Sequence, residues 1–196
     1  MQSSRRTLLA ATLAIALAAG PFAPTTTWAR VQEQLTSSTG VPFAVAKPEV
    51  HGISNFADIE PGLSRGGRPT DEGIEYLRSH GYRTVVAFWS GSGEREKLTR
   101  AGIAFVELPM KAGIFSAEPP TQGQIDSFLK LASDPARRPL FFHCKRGRDR
   151  TGAMAAIYRI ERQKWPRADA VEEMKAFGFS THYKKLLQFV AAYPGG

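Results

Sequence analysis

The sequence PLFFHCKRGRDRTG, residues 139–152, reads as a short buried strand, a tight basic loop and the start of a helix at Thr151. The chain's single cysteine, Cys144, stands where the strand ends, and Arg150 follows it with five residues between. Backbone N–H groups of such a loop, with the N-terminal end of the helix, converge on one spot that favours an oxyanion. The same field would hold Cys144 as a thiolate, and the guanidinium of Arg150 offers a planar fork for two phosphate oxygens. The stretch therefore predicts covalent chemistry on a phosphate monoester.

The segment HCKRGRDRTG resembles the signature loop of the cysteine-dependent protein tyrosine and dual-specificity phosphatase superfamily, H-C-x-x-G-x-x-R-[ST]-G, at every fixed position. The resemblance implies that Cys144 attacks phosphorus to form a phosphocysteine, Arg150 binds the phosphoryl oxygens, and Thr151 assists departure of the thiolate. It also implies that His143 supports the cysteine from behind and that Gly147 gives the loop its unusual backbone angles. The loop residues expected to bind the substrate are Lys145, Arg146, Gly147, Arg148 and Gly152.

Apolar runs alternate with helical patterns on either side of this loop. Residues 84–89 and 103–108 have the composition of fully buried strands, and Leu63-Ser64 begins another. The alternation predicts an α/β fold with a central, mostly parallel sheet of about four to five strands and helices on both faces. That is also the phosphotyrosine-phosphatase-like architecture that the resemblance implies. Parallel sheets bind ligands outside the carboxyl ends of their strands, where Cys144 lies.

Helix boundaries follow from capping and breaking residues. Thr70 is expected to cap a helix that ends before Gly81. Towards the end of the chain, a buried helix is expected over 151–163, a second with Pro166 in its first turn, and a last one capped by Ser180. With the strands, these helices make a single domain.

The first 29 residues have the composition of an export signal. Arg5 and Arg6 precede an apolar run over residues 8–19, and Thr27-Trp28-Ala29 ends the stretch with a small-x-small cleavage pattern. The two arginines also match a twin-arginine export pattern. The segment predicts an exported protein, periplasmic or secreted, with no stable membrane span after signal removal. An uncleaved N-terminal anchor is the alternative.

The remainder divides at about residue 50. Residues 30–50 are polar, rich in turn residues and without periodicity, which predicts a flexible leader or a surface strip. Residues 51–196 are expected to form the phosphatase domain, and no internal repeat is visible. A content of 42% hydrophobic and 22% charged residues is that of one ordinary globular domain.

The sequence leaves the identity of the general acid undecided. The oxygen of the leaving group must be protonated when the P–O bond breaks. The resemblance implies an aspartate on a separate loop for this purpose, as in many phosphatases of the superfamily. Residues 109–118 contain no aspartate, so the acid is either Glu118 or Asp149, or there is none. The G-x-D-R-T arrangement resembles bacterial and myotubularin-like phosphatases in which the in-loop aspartate is the proposed acid. Alternatively, Asp149 only accepts a hydrogen bond from a neighbouring N–H group or pairs with Arg148.

Basic residues at the loop bear on the substrate. Lys145, Arg146 and Arg148 suggest a ligand with several phosphates, such as a phosphoinositide or an inositol polyphosphate, although solvated cations also simply attract any anion. We favour a phosphorylated protein or peptide of the phosphotyrosine type, with inositol phosphates as the alternative. A catalytically silent phosphate-binding protein is an alternative of another class.

Other partner classes are disfavoured. Nucleic acid is not expected, because no stacking aromatic residues interleave with the basic loop or with the second basic pair, Arg65 and Arg68. No metal site and no cofactor are expected, because the histidines show no ligand spacing. The four are His51, His80, His143 and His182.

Overall fold

A computed structural model describes residues 36–91, 93–113 and 116–195. The predicted export signal and the first residues of the predicted leader lie outside these ranges. The strands are β1 (Ala57–Glu60), β2 (Leu63–Gly67), β3 (Thr84–Ala87), β4 (Ala104–Glu107) and β5 (Leu140–Cys144). The helices are α1 (Asp71–Ser79), α2 (Glu94–Arg100), α3 (Gln122–Ser133), α4 (Asp149–Gln163), α5 (Arg167–Ala176) and α6 (Lys184–Ala191). None of the helices in the described ranges is long and apolar enough to cross a bilayer.

The five strands form one sheet in the order β1-β2-β5-β3-β4. Only β1 and β2 are antiparallel, and all other neighbours run parallel, so the predicted mostly parallel sheet is confirmed. The β1–β2 hairpin itself was not predicted, because Pro61-Gly62 indicates a break while the short strand before it has no clear alternation. The fourth strand is an edge strand and only partly buried, which corrects the expectation of a fully buried strand over 103–108.

Helices cover both faces of the sheet. On one face, α1 and α2 pack Leu77 and Leu98 against Phe141 of β5. On the other face, α3 and α4 pack Phe128 and Met154 against Phe142. Neighbouring residues of β5 point to opposite sides because side chains alternate along a strand. The central strand is therefore buried throughout, and its carboxyl end is fixed from both sides.

Three helix starts can be compared with their predicted positions. Thr70 caps α1 as predicted, with its side chain accepting from the N–H of Gly73. The prediction of Ser180 as a cap is wrong, since α6 begins at Lys184 and Tyr183 occupies the cap position without a side-chain bond. The long helix begins at Asp149 rather than Thr151. Asp149 and Arg150 consequently belong to its first turn.

Residues 36–50 are packed on the domain, so a flexible leader is not what the described part of this segment forms. The N–H and hydroxyl of Ser38 donate to Asp169, and the N–H of Ala44 donates to Glu173. Val50 is buried, and Phe43 stacks on Trp165 with ring centroids 5.2 Å apart. These contacts were not predicted, because a polar segment without periodicity is typical of a flexible chain. The alternative, a surface strip, describes residues 36–50, and the domain includes them.

Candidate active site

Cys144 is the last residue of β5 and stands at the carboxyl edge of the sheet, between β2 and β3, where the loop to α4 begins. The Cys144 side chain is almost fully buried, at 2% exposure. Burial acts to raise the pKa of the Cys144 thiol. The opposing effects are larger, and they come from the hydroxyl and N–H of Thr151, the N–H of Arg146 and the positive charge of Arg150. The net pKa lies below the ordinary value for cysteine, which favours the thiolate.

The end of β2 forms the support beneath the loop. Gly67 is paired with Cys144 and Gly66 with His143. Gly147 has a φ of +70°, and a Cβ there would lie 2.5 Å from the carbonyl carbon of Gly66 and the nitrogen of Gly67. Glycine is therefore required at 147 both for its backbone angle and for the close approach of two chain segments. The two adjacent glycines of β2, Gly66 and Gly67, are the sequence signal for this close backbone contact.

His143 lies behind the cysteine and is fully buried. Its Nδ1 is 3.3 Å from the carbonyl oxygen of Cys144, and its ring stacks on that of Phe141. On the other side, Nε2 approaches Oε1 of Glu94 to 3.0 Å, although the angle falls outside hydrogen-bond geometry. Glu94 is itself 1% exposed, with Arg68 Nε at 3.6 Å from its other oxygen. The predicted position of His143 agrees with this arrangement, whereas Glu94 was missed.

A cavity of about 330 Å³ opens above the cysteine. Arg150 extends into it and directs Nη1 to the carbonyl oxygens of Phe88 and Met110, each 3.4 Å away. Of the loop residues predicted to bind the substrate, Lys145 and Arg146 line the cavity. The complete lining consists of Trp89, Ala112, Gly113, Cys144, Lys145, Arg146, Asp149, Arg150 and Tyr183.

The aromatic part of this lining was not predicted. Trp89 follows β3, and Tyr183 precedes α6, so the two are far apart in the chain. The hydroxyl of Tyr183 donates to the carbonyl oxygen of Gly113 at 3.1 Å, which connects the start of α6 to the loop after β4. No local sequence pattern predicts this contact, because it forms between loops that are distant in sequence and adjacent at one edge of the sheet.

The two candidate acids, Asp149 and Glu118, lie in different places relative to the cavity. Asp149 lines the cavity, and its Oδ1 accepts a hydrogen bond from the N–H of Ser180 at 2.8 Å. Glu118 does not line the cavity and pairs instead with Lys185 at 3.1 Å, with both side chains largely exposed. The side chain of Arg148 does not line the cavity and donates to the carbonyl oxygen of Gly178. Substrate binding by Arg148 stays a prediction.

Gly152 is the last of the loop residues that were predicted to bind the substrate. Gly152 lies in α4, where a Cβ would come within 2.9 Å of Met174. The absence of a side chain at Gly152 allows α4 and α5 to pack closely, and its contribution to substrate binding stays a prediction. Within the described residues, no group of three or more histidine, cysteine, aspartate or glutamate side chains is arranged to hold a metal ion.

Fold and site together define a cysteine-dependent phosphatase. Residues 27–189 match the family described as "DSP-PTPase phosphatase fused to NAD+ Kinase", and the chain belongs to this family. The region that matches includes the whole catalytic loop.

Individual relatives agree with this assignment. The dual specificity protein phosphatase TpbA of Pseudomonas aeruginosa is 31% identical over 176 residues, which is 89% of this chain and 72% of TpbA. The inositol diphosphatase DSP3 of Arabidopsis thaliana is 27% identical over 143 residues, 71% of this chain and 70% of DSP3. The crystal structure of a cysteine-to-serine variant of TpbA in complex with phosphotyrosine superposes with a TM-score of 0.64 at 28% identity, covering 78% of this chain and 90% of that one.

Proposed function

We propose that the chain hydrolyses phosphate monoesters of the phosphotyrosine and dual-specificity type through a phosphocysteine on Cys144. The supporting observation is the lowered pKa of the buried thiol at the base of a cavity into which Arg150 extends. A thiolate is a far better nucleophile than a thiol, and a guanidinium fork matches two phosphoryl oxygens. The two groups thus supply attack and substrate positioning from a single loop.

In the first step, Sγ of Cys144 attacks phosphorus while the bond from phosphorus to the leaving oxygen breaks. Asp149 is the proposed proton donor to that oxygen, because it is the one carboxylic acid among the described residues of the cavity wall. In the second step, water attacks phosphorus and gives its proton to the Asp149 carboxylate, and the sulfur departs as a thiolate. The hydroxyl and N–H of Thr151 stabilise that departing charge, as they do in the resting protein.

The aromatic side chains at the cavity favour an aryl phosphate. Trp89 and Tyr183 offer apolar surface to a phenyl ring while the phosphate reaches Cys144. The similarity to TpbA, whose variant was crystallised with phosphotyrosine, supports the same choice.

Inositol phosphates are the second candidate substrate class. Lys145 and Arg146 line the cavity and are exposed, so they could bind further phosphates of a polyphosphorylated ring. The similarity to an inositol diphosphatase supports this candidate. We would compare kcat/KM for a phosphotyrosine peptide with that for inositol polyphosphates and diphosphates under identical conditions. A much higher value for the inositol phosphates would reverse the order.

The covalent mechanism is tested by turnover and by trapping. We expect hydrolysis of nitrophenyl phosphate, inhibition by vanadate, indifference to a chelator and loss of turnover in Cys144→Ser. Rapid acid quenching followed by mass spectrometry should detect one phosphoryl group on the peptide that contains Cys144. Sensitivity to the chelator with no phosphorylated peptide would refute the thiolate mechanism. Binding of phosphate without any turnover would indicate the catalytically silent alternative.

We further propose that residues 1–29 direct export and are removed before Arg30. The arginine pair, the apolar run and the small-x-small pattern support this proposal, and all of them lie outside the described residues. N-terminal sequencing of the protein recovered from the periplasm or medium tests the cleavage. Replacing Arg5 and Arg6 by lysine should block export if the twin-arginine route is used and leave it intact if the general secretory route is used. Recovery of the uncleaved chain in the membrane fraction would contradict removal.

A further inference from the structure

Arg65 is a buried cation that the mechanism above does not use. It is the third residue of β2, is paired in register with Phe142 of β5, and has no exposed surface. Lysine and arginine side chains are rarely buried unless they are paired. Among the described residues, however, Arg65 forms no ion pair within bonding distance, and its Nε and Nη1 have no hydrogen-bond partner. Burying a charged group with unsatisfied hydrogen-bond donors costs free energy, so we expect Arg65 to contribute to function.

The guanidinium lies directly beneath the catalytic loop. Its Nη2 donates to the carbonyl oxygen of Gly147 at 2.8 Å, and its plane is held over the ring of Phe177, with the central carbon 3.9 Å from the ring centroid. A peptide group whose carbonyl is bound from below keeps that oxygen away from the cavity. This orientation matters, because an inward-facing carbonyl would repel a phosphate.

The charge of Arg65 also acts on the sulfur. Burial lowers the pKa of Arg65 to about 10, while the negative charges of Glu173 and Cys144 act in the opposite direction. The side chain therefore stays protonated at neutral pH. Electrostatic interaction is mutual, so a cation that is stabilised by the Cys144 thiolate stabilises that thiolate in turn.

We propose that Arg65 is a positioning residue of the phosphatase reaction, which fixes the Gly147 peptide with its carbonyl turned away from the cavity and places a positive charge beneath the thiolate. The inference rests on the proposed role of Cys144 as the nucleophile. It assigns the loop a second arginine, which acts on the sulfur and the loop from inside the protein, whereas Arg150 acts on the substrate from the cavity.

Arg65→Met tests the proposal with Arg159→Met as its matched control. Arg159 is equally buried and lies over the ring of Trp165 at 4.2 Å, but it pairs with Glu173 and has no hydrogen bond to the catalytic loop. The rate of alkylation by iodoacetamide as a function of pH gives the pKa of the single thiol, and calorimetry gives the affinity for inorganic phosphate. Thermal melting reports the folded state of each variant.

We expect Arg65→Met to raise the pKa of the Cys144 thiol and to weaken phosphate binding about 10- to 100-fold, the range for losing a charged hydrogen bond. Arg159→Met should lower the melting temperature, because it leaves Glu173 unpaired, and in the folded protein it should change both quantities far less than Arg65→Met does. If Arg65→Met does not fold, Arg65→Lys keeps a charge without the fork and should still weaken phosphate binding about tenfold.

The outcomes separate this inference from the proposed function. Parental thiol pKa and phosphate affinity in a folded Arg65→Met or Arg65→Lys protein would overturn the role of Arg65 alone. A parental thiol that reacts only at the pH of an ordinary cysteine would overturn the nucleophile assignment, and the role of Arg65 with it.

Discussion

Gly147 and Gly66 bring two chain segments so close that a Cβ at position 147 would stand 2.5 Å from the carbonyl carbon of Gly66. The contact lies directly under the loop that carries the cysteine. Because the obstructing atoms belong to the backbone of β2, no side-chain rotation can relieve the collision. The shape of the catalytic loop thus depends on a strand that precedes it by some eighty residues.

Gly147→Ala should therefore abolish phosphate binding at the loop. We expect kcat/KM to fall by about 10²-fold or more, since small displacements of positioning groups have effects of this size. Gly81→Ala is the control, because Gly81 also has a positive φ but nothing lies within 4 Å of its Cβ position. That variant should lose about 1–2 kcal/mol of stability from the left-handed backbone alone and keep its activity. Equal activity losses in the two variants would contradict the steric explanation.

Asp149→Asn should slow the hydrolysis of alkyl phosphates about 10²- to 10⁴-fold, the usual contribution of a general acid. Aryl phosphates should be affected much less, because a phenoxide leaves readily without protonation. Glu118→Gln, at an exposed pair with Lys185 outside the cavity, serves as the control and should match the parent on both substrates. Parental rates for Asp149→Asn on a phosphoserine peptide would eliminate Asp149 as the acid.

Thr151→Val should raise the pKa of the Cys144 thiol, because the hydroxyl that stabilises the thiolate is lost while the shape is kept. In the parent, the thiolate is present above the lowered pKa and is lost as pH falls through it, so the acid limb of kcat/KM should move to higher pH in the variant. Thr84→Val replaces another buried threonine, one whose hydroxyl has no partner among the described residues, and should leave the profile unchanged. An unshifted acid limb in Thr151→Val would contradict this assignment.

Phe43→Ala should lower the free energy of unfolding by about 1–2 kcal/mol, since the half-buried ring that stacks on Trp165 is removed. Activity should stay at the parental value because the contact lies away from the cavity. Val45→Ala is the control, because Val45 is 53% exposed, and its effect should stay within about 0.5 kcal/mol. Denaturation with urea measures both changes. No difference between the two variants would mean that residues 36–50 add little to the domain.

Local signals in the sequence predicted the parts of the fold that depend on neighbouring residues. The strand, loop and helix around Cys144 follow from apolar periodicity and from the glycine and arginine spacing, and the cap at Thr70 follows from its hydrogen-bonding side chain. The parallel sheet follows from the alternation of strands and helices. These elements were therefore predicted correctly except at their ends.

The remaining features depend on residues that are distant in sequence. Glu94 and Arg65 carry charges, and charge normally indicates exposure, yet both are buried around the catalytic loop. Trp89 and Tyr183 meet at the cavity only because the sheet order brings their loops together. Contacts of this kind can be predicted only when the order of the strands in the sheet is known.

The placement of β5 at the middle of the sheet affects how the protein loses its activity. The strand that carries Cys144 is hydrogen-bonded to β2 on one side and to β3 on the other. Fraying at either sheet margin leaves those two ladders intact, so amide hydrogens in β5 should exchange with solvent only when the whole domain opens. Heat inactivation and global melting should therefore coincide for this protein.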